Sequence, residues 1–196
     1  MTTSSDYDFD RPTAIQNLTG DYQLDLAHTR IYFVARHAMV TSVRGYFHEF
    51  DGRLHLDAEN PAASSAQVTI KVASLDTGQE QRDAHLRSPD FFDVENYPDM
   101  TFASTEISAQ DEDTYRVTGD LTIRDQTHPV TLTVTFNGSA KDPFGNLRAG
   151  FEGRGVVNRK DWGLTWNAAL ETGGFMVSDK IRIEFDASAV KLTPTA

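Results

Sequence analysis

YRVTGDLTIRDQTHPVTLTVTFN, residues 115–137, carries two runs of period-two alternation around a single turn. In the first run Tyr115, Val117, Gly119, Leu121 and Ile123 share one face, and Arg116, Thr118, Asp120, Thr122 and Arg124 the other. In the second, Val130, Leu132, Val134 and Phe136 oppose Thr131, Thr133 and Thr135. Successive side chains of a strand point to opposite faces, so this pattern predicts two half-buried β-strands joined as a hairpin across 124–129.

The same period recurs outward from this hairpin. AQVTIKV (66–72) sets Val68, Ile70 and Val72 against Gln67, Thr69 and Lys71, and KIRIEFDASAV (180–190) sets Ile181, Ile183, Phe185 and Ala187 against Arg182, Glu184, Asp186 and Ser188. Further strands are expected near 21–36, 43–57, 100–108 and 147–158, which makes about eight. DPFGN (142–146) reads as a turn, with Pro143 at its second position and Gly145 at its fourth. The long connection 76–100 interrupts the series, and Ser88-Pro89-Asp90 within it predicts a helix N-cap followed by Pro at the first helical position. Long ordered connections of this kind often cover a cavity. With so little helix to cover an apolar sheet face, the sheet must cover itself. The expectation is an all-β, eight-stranded antiparallel up-and-down barrel, lipocalin-like, with a long loop and short helix between strands three and four. Residues 1–20 are expected to be an N-terminal arm or short helix, and 21–192 the barrel.

Bulk composition removes several function classes. A net charge of −11 argues against nucleic acid, and equally against adsorption to anionic lipid surfaces. The absence of cysteine excludes disulfides, thiolate metal sites and cysteine nucleophiles. No apolar run approaches a membrane span, so stable membrane insertion is not expected. The N-terminal stretch, acidic at Asp6, Asp8 and Asp10, does not read as a secretion signal, and a cytoplasmic location is the expectation.

HAMVTSVRGYFHEFDGRLHLD (37–57) concentrates three of the six histidines and tests for a metal or acid–base site. Its apolar face is odd-numbered through Phe47 and even-numbered from Phe50, so one extra residue near His48–Glu49, a β-bulge, is expected to flip the phase. His48 and His55 then both face outward, about 23 Å apart at ~3.3 Å per residue, too far to share a metal. His28, His85 and His128 are solitary, and no metal-binding histidine spacing occurs. His37 stands at a strand end, where a barrel opens. RDAHLRS (82–88) gathers Asp83, His85, Arg87 and Ser88, but no nucleophile elbow surrounds the serine, and lid anchoring is the plainer role for His85 and Arg87. GFEGRG (150–155) has no helix after it to make a phosphate loop, and glycines inside a strand mark bulges or barrel corners.

Taken together, six blocks in order resemble the YceI-like, polyisoprenoid-binding family: YQLDLAHTRIYFVARH (22–37), VRGYFHEFDGRL (43–54), RDAHLRSPDFFD (82–93), YPDMTFAST (97–105), GDLTIRDQTHPVTL (119–132) and DPFGNLRAGFEGRGVVNRKDWG (142–163). The resemblance runs from Tyr22 to Lys191. It implies a lipocalin-like barrel whose apolar interior holds an isoprenoid chain of the polyprenyl or quinone type, no catalytic residues or catalytic cofactor, and a homodimer. Asp125 stands where the family often has Gly in a turn, and Asp is among the residues that tolerate a left-handed conformation.

Strand parity then nominates the cavity wall: Phe33, Phe47, Val68, Ile70, Phe102, Val117, Leu121, Leu132, Val134, Phe151, Ile183 and Phe185, with His37 at the rim. No residue is nominated as a metal ligand. The alternative is an enzyme acting on a bound lipid through polar groups at the mouth, with His37, His85 and Arg87 as candidates.

Overall fold

The computed structural model describes residues 18–193, so the arm expected over residues 1–20 lies almost wholly outside the described residues. The chain forms β1 (Gly20–Leu24), β2 (Arg30–His37), β3 (Thr41–Phe47), β4 (Phe50–Leu56), β5 (Ser65–Lys71), β6 (Leu75–Asp76), α1 (Glu80–Arg87), β7 (Asp99–Ala109), β8 (Thr114–Ile123), β9 (Gln126–Lys141), β10 (Leu147–Asn158) and β11 (Lys180–Lys191). Short 3₁₀ turns occupy Pro61–Ala63, Val72–Ser74 and Arg159–Trp162.

These strands make a closed antiparallel barrel of eight staves. β1 and β2 are two halves of one bent stave, and β3 and β4 two halves of the next, because β1 pairs with β4 and β2 with β3. β5 and β6 continue as the third, followed in chain order by β7 to β11. β11 closes the circuit against both halves of the first stave, with Leu24 opposite Ala189 and Phe33 opposite Ile183. Closure removes the exposed edges that an open sheet would leave.

The phase slip read at His48–Glu49 is there, but it is larger than one bulged residue. Phe47 pairs with Leu75 and Phe50 with Ile70, so two residues on one stave face four on the other. Ser74 holds this corner: its Oγ accepts from His48 N (3.1 Å) and Glu49 N (3.0 Å) and donates to Lys71 O (2.6 Å).

The first stave, expected to run unbroken over 21–36, breaks at Asp25–Thr29. There the Asp25 carboxylate accepts from Ala27 N (2.9 Å), and His28 N reaches Asp25 O (3.2 Å). This is the local turn chemistry that short acidic side chains favour. Tyr22 and Leu24 face the core before the break, and Ile31, Phe33 and Ala35 line the interior after it, so the parity switches. Two further one-residue register shifts lie between Ser104 and Glu106 of β7 and opposite Gly150/Phe151 of β10, and each turns its stave to bring a new parity inward.

The helix ends where it was expected to begin, with its N-cap nine residues before Ser88. Gln79 caps it, its side chain accepting from Arg82 N, and Ser88 ends it, Oγ donating to His85 O (2.7 Å). Ser88 is thus the C-cap rather than the N-cap, and Pro89 is a stop beyond the last turn. The hairpin between β8 and β9 is also tighter than 124–129: Arg124 and Asp125 alone connect the strands, and the positive φ (57°) falls on Arg124, not Asp125. At the other turn Gly145 N donates to Asp142 O (2.9 Å), as the Pro-Gly placement predicts.

Candidate functional site

Inward-facing side chains of all eight staves enclose an apolar cavity of about 410 Å³, within the ~300–1,000 Å³ usual for ligand pockets. Phe33, Phe47, Val68, Ile70, Phe102 and Val117 line it, as do Leu121, Leu132, Val134, Phe151, Ile183 and Phe185. Phe91 and Phe92 of the 76–100 connection, expected to cover a cavity, also lie on the lining, whereas the sequence pattern did not single out Leu86, Trp162, Leu164 and Arg159 at one end or Asp57, Pro61 and Ser64 at the other.

His37 does not join this wall. It has the parity of Phe33 and Ala35, but Ala35 is the last residue of β2 to line the cavity. His37 is exposed, faces Thr41 across the β2–β3 turn and bridges to Val177.

In-strand glycines shape the lumen. Phe33 lies across Gly45, Phe185 across Gly153 and Phe102 across Gly119, each so close that a Cβ at the glycine would overlap the ring. Gly155 makes the same room for Leu132. These glycines are therefore seats that let large side chains lie flat along the barrel wall and leave its centre open. The register shift beside Gly150 has its extra residue, Asn137, on the facing strand β9, and Gly153 and Gly155 serve as seats rather than bulges.

The two ends differ. At one, Phe91, Trp162, Leu164, Ile123 and Val130 are all buried, and Trp162 Nε1 donates to Leu121 O (2.9 Å), which fixes the indole as a floor. The 76–100 connection contributes Leu86, Phe91 and Phe92 to this floor. Arg87 ties it down, donating from Nε to Ala73 O (2.9 Å) and from Nη2 to Leu75 O (2.6 Å). Buried Asp83 accepts from Thr77 N (3.0 Å) at the helix N-terminus. His85 bonds Asp90 (2.8 Å) and packs edge-on against Phe91 and Trp166, at 5.1 and 4.6 Å between ring centroids. His37, His85 and Arg87 all lie off the cavity lining. At the other end Leu54, Leu56, Ile107, Tyr115, Phe136 and Phe151 are half-buried on the lining, together with Asp57, Pro61 and Ser64.

Arg159 is the one cation on the lining among the described residues. Burial pushes its pKa below the ordinary arginine value, and the nearby Asp179 carboxylate acts in the opposite sense. On the outer surface the histidines pair with carboxylates: His48 with Asp76 at 3.3 Å and His55 with Asp21 at 2.8 Å. Among the described residues no three His, Cys, Asp or Glu side chains are grouped as a metal site would need.

Comparison with known proteins agrees with this architecture. A UPF0312 protein of Photorhabdus laumondii is 44% identical over 147 residues, 74% of this chain and 76% of that one. The crystal structure of Burkholderia cenocepacia BcnA superposes with a TM-score of 0.75 at 29% identity, covering 84% of this chain and 98% of BcnA. A Saccharophagus degradans domain, described as a polyisoprenoid binding domain implicated in plant cell wall breakdown, shares the fold at a TM-score of 0.68 and 15% identity, covering 87% and 98% of the two chains. The profile of the YceI-like domain matches residues 22–189, and the chain belongs to that family.

Proposed function

We propose that this protein binds a long-chain isoprenoid lipid, of the polyprenyl or quinone type, inside the barrel, and acts as its carrier, store or sequestering protein. The observation that carries the reading is an apolar cavity walled by all eight staves. The family has a binding-protein fold, and the Saccharophagus relative is named for polyisoprenoid binding. The energetics support the same ligand class. Burying hydrocarbon gains about 0.8 kcal/mol per methylene, so each five-carbon unit offers roughly 3–4 kcal/mol before ordering costs. Walls of this composition can supply affinity without polar contacts along the chain.

The acid–base candidates favour no second reading, because none of them faces the lumen. The homodimer implied by the family likeness belongs to the same proposal, and light scattering on the purified protein tests it. The test of binding is organic extraction and native mass spectrometry. A polyprenyl-type mass is expected, either co-purified or taken up from an added lipid series. A protein that neither carries nor takes up any such lipid would overturn the proposal.

A further inference from the structure

Three large apolar side chains project into water together at one end of the barrel. Single exposed apolar residues are ordinary, but a cluster of them marks a contact surface. Met39 is 58% exposed and Val40 74% in the turn between β2 and β3, and Phe175 is 57% exposed in the segment between β10 and β11. The two pieces lie side by side. Ala38 N donates to Met176 O (2.8 Å), His37 bridges to Val177, and a Cβ placed on Gly174 would stand 3.8 Å from Met39 Cγ, in ordinary contact. Asn167 braces the second piece, its Oδ1 accepting from Val177 N (3.0 Å) and its Nδ2 donating to Val177 O (2.7 Å).

The β2–β3 turn holds this display under strain. Val40 N donates to His37 O (3.1 Å), and the two central residues, Ala38 and Met39, have φ of 49° and 62°. Two-residue hairpin turns of this left-handed kind favour Asn-Gly, which adopts positive φ at little cost. Ala-Met is a poor sequence for it, and backbone strain of this sort gathers in segments that bind. The patch also leads into the barrel, since Ala35 and Val177 both line the cavity. Its charge sets it apart. Arg36 and Lys180 offset Glu171 and Asp179, so segments 36–41 and 168–180 are neutral in a chain of net charge −11. Phe144 makes the contrast: it is 89% exposed at the opposite end of the barrel, the end that also carries Asp111, Glu112 and Asp113 between β7 and β8.

We propose that Met39, Val40 and Phe175 dock the protein reversibly on the surface of an electrically neutral membrane, bringing this end of the barrel to the bilayer. This rests on the lipid-binding reading and adds to it the surface from which the ligand is taken. A ligand made mostly of hydrocarbon resides in bilayers, and two protruding turn tips need no matching groove in a fluid lipid surface. The neutral patch meets no charge barrier at a zwitterionic head-group layer, whereas an anionic layer would repel a chain of net charge −11. Contact through apolar side chains is also insensitive to salt.

The test floats the full-length protein, free of prenyl lipid, with vesicles of phosphatidylcholine alone. Wild type is expected to float with them equally at about 0.1 M and about 1 M salt. Ala38→Asn with Met39→Gly supplies the favoured turn, so it should raise the denaturation midpoint while weakening flotation. Adding Phe175→Ser should bring the loss of vesicle affinity to about tenfold or more. The turn variant alone decides the matter if the triple variant does not fold. Phe144→Ser should float as wild type does. Both patch variants should still take up a prenylated quinone from cyclodextrin solution, but the triple variant should transfer it between vesicles about tenfold more slowly. Absence of wild-type flotation, or undiminished flotation of the patch variants, would overturn the membrane contact and leave the lipid-binding reading standing. A wild type that ignores vesicles, and is a dimer that the patch variants split, would assign the patch to a second copy of the chain instead. Protein that floats through this patch but takes up no prenyl lipid would remove the lipid-binding reading and leave the docking surface in place.

Discussion

Phe33, Phe102 and Phe185 can lie flat against the wall only because Gly45, Gly119 and Gly153 offer no side chain beneath them. The pairing is direct for two of them, with Phe33 opposite Gly45 and Phe185 opposite Gly153 in register. Replacing Gly153 by Ala should lift the Phe185 ring into the lumen. Overpacking of this kind costs about 1–3 kcal/mol, read as a lower denaturation midpoint. The same change should weaken binding of long prenyl chains, because the ring then occupies ligand volume. Adding Phe185→Leu to Gly153→Ala should restore most of both losses. If the single variant keeps full stability and full lipid capacity, the seats do not shape the lumen. Phe185 sits on a clean run of alternation, whereas Phe33 lies in IYFVA, where both faces are apolar, and its inward parity follows only after the break at Asp25–Thr29. What parity could not show is why glycine interrupts the neighbouring strands, because a seat and a barrel corner look alike until the strands are paired. Arg159 was invisible for a related reason. A charged residue after a strand reads as solvated, and it is buried here by the carbonyls of Leu164, Trp166 and Ser178, which arrive from elsewhere in the chain.

Elements were legible wherever one face was wet. The staves from β7 to β11 announce themselves by alternation, while their irregularities differ in visibility. The corner at His48–Glu49 showed because large residues, Phe47 and Phe50, flank the slip. The shift at Thr105 was masked by the small side chains of Ala103 and Ser104 around it. The break after β1 was hidden because Asp25 and His28 fit a polar face as well as a turn. That break is held by a clamp between elements. Arg148 of β10 bonds Asp25 (2.5 Å) in the break and Asp142 (2.9 Å) in the β9–β10 turn. The hydrogen bond from Arg148 is the leading cause that holds the Asp25 carboxyl down at about 2, and hydrogen bonds from Asn146 lead in holding Asp142 at about 2. Both values lie below the ordinary 3.8, so the folded state favours the ionised carboxylates. Their contribution is complete above about pH 4 and is lost as pH falls toward 2. The thermal midpoint should therefore drop across that window, and Arg148→Met should flatten the drop while lowering the plateau above it. An unchanged acid profile in Arg148→Met would mean the clamp does not stabilise the break. At the other end of the barrel, Arg87→Met removes both donors from α1 to the Ala73 and Leu75 carbonyls. It should cost about 1–2 kcal/mol, measured by urea unfolding. Hydrogen exchange should rise first in 80–98, the connection that builds the floor.

For the whole molecule, the barrel invests its inward faces in a cavity rather than in mutual packing. Interiors are normally close-packed, and a void of about 410 Å³ forfeits contacts that a filled core would keep. An occupant should therefore stabilise the fold, by about 2.7 kcal/mol when its free concentration is a hundred times its Kd. The complementary experiment fills the space with side chain. Val134 lies on the lumen of β9, in a cluster with Val117 and Leu132 that packs against Phe102, Phe151 and Phe185. Val134→Trp should place an indole where the lipid chain would run. If the cavity is a working site, that variant should unfold at or above the wild-type midpoint without lipid, lose prenyl-lipid binding and gain no stability on lipid addition. A variant that unfolds much earlier would show an interior already packed too tightly to admit the ring. One that still takes up a long prenyl lipid with undiminished affinity would place the binding site outside the barrel.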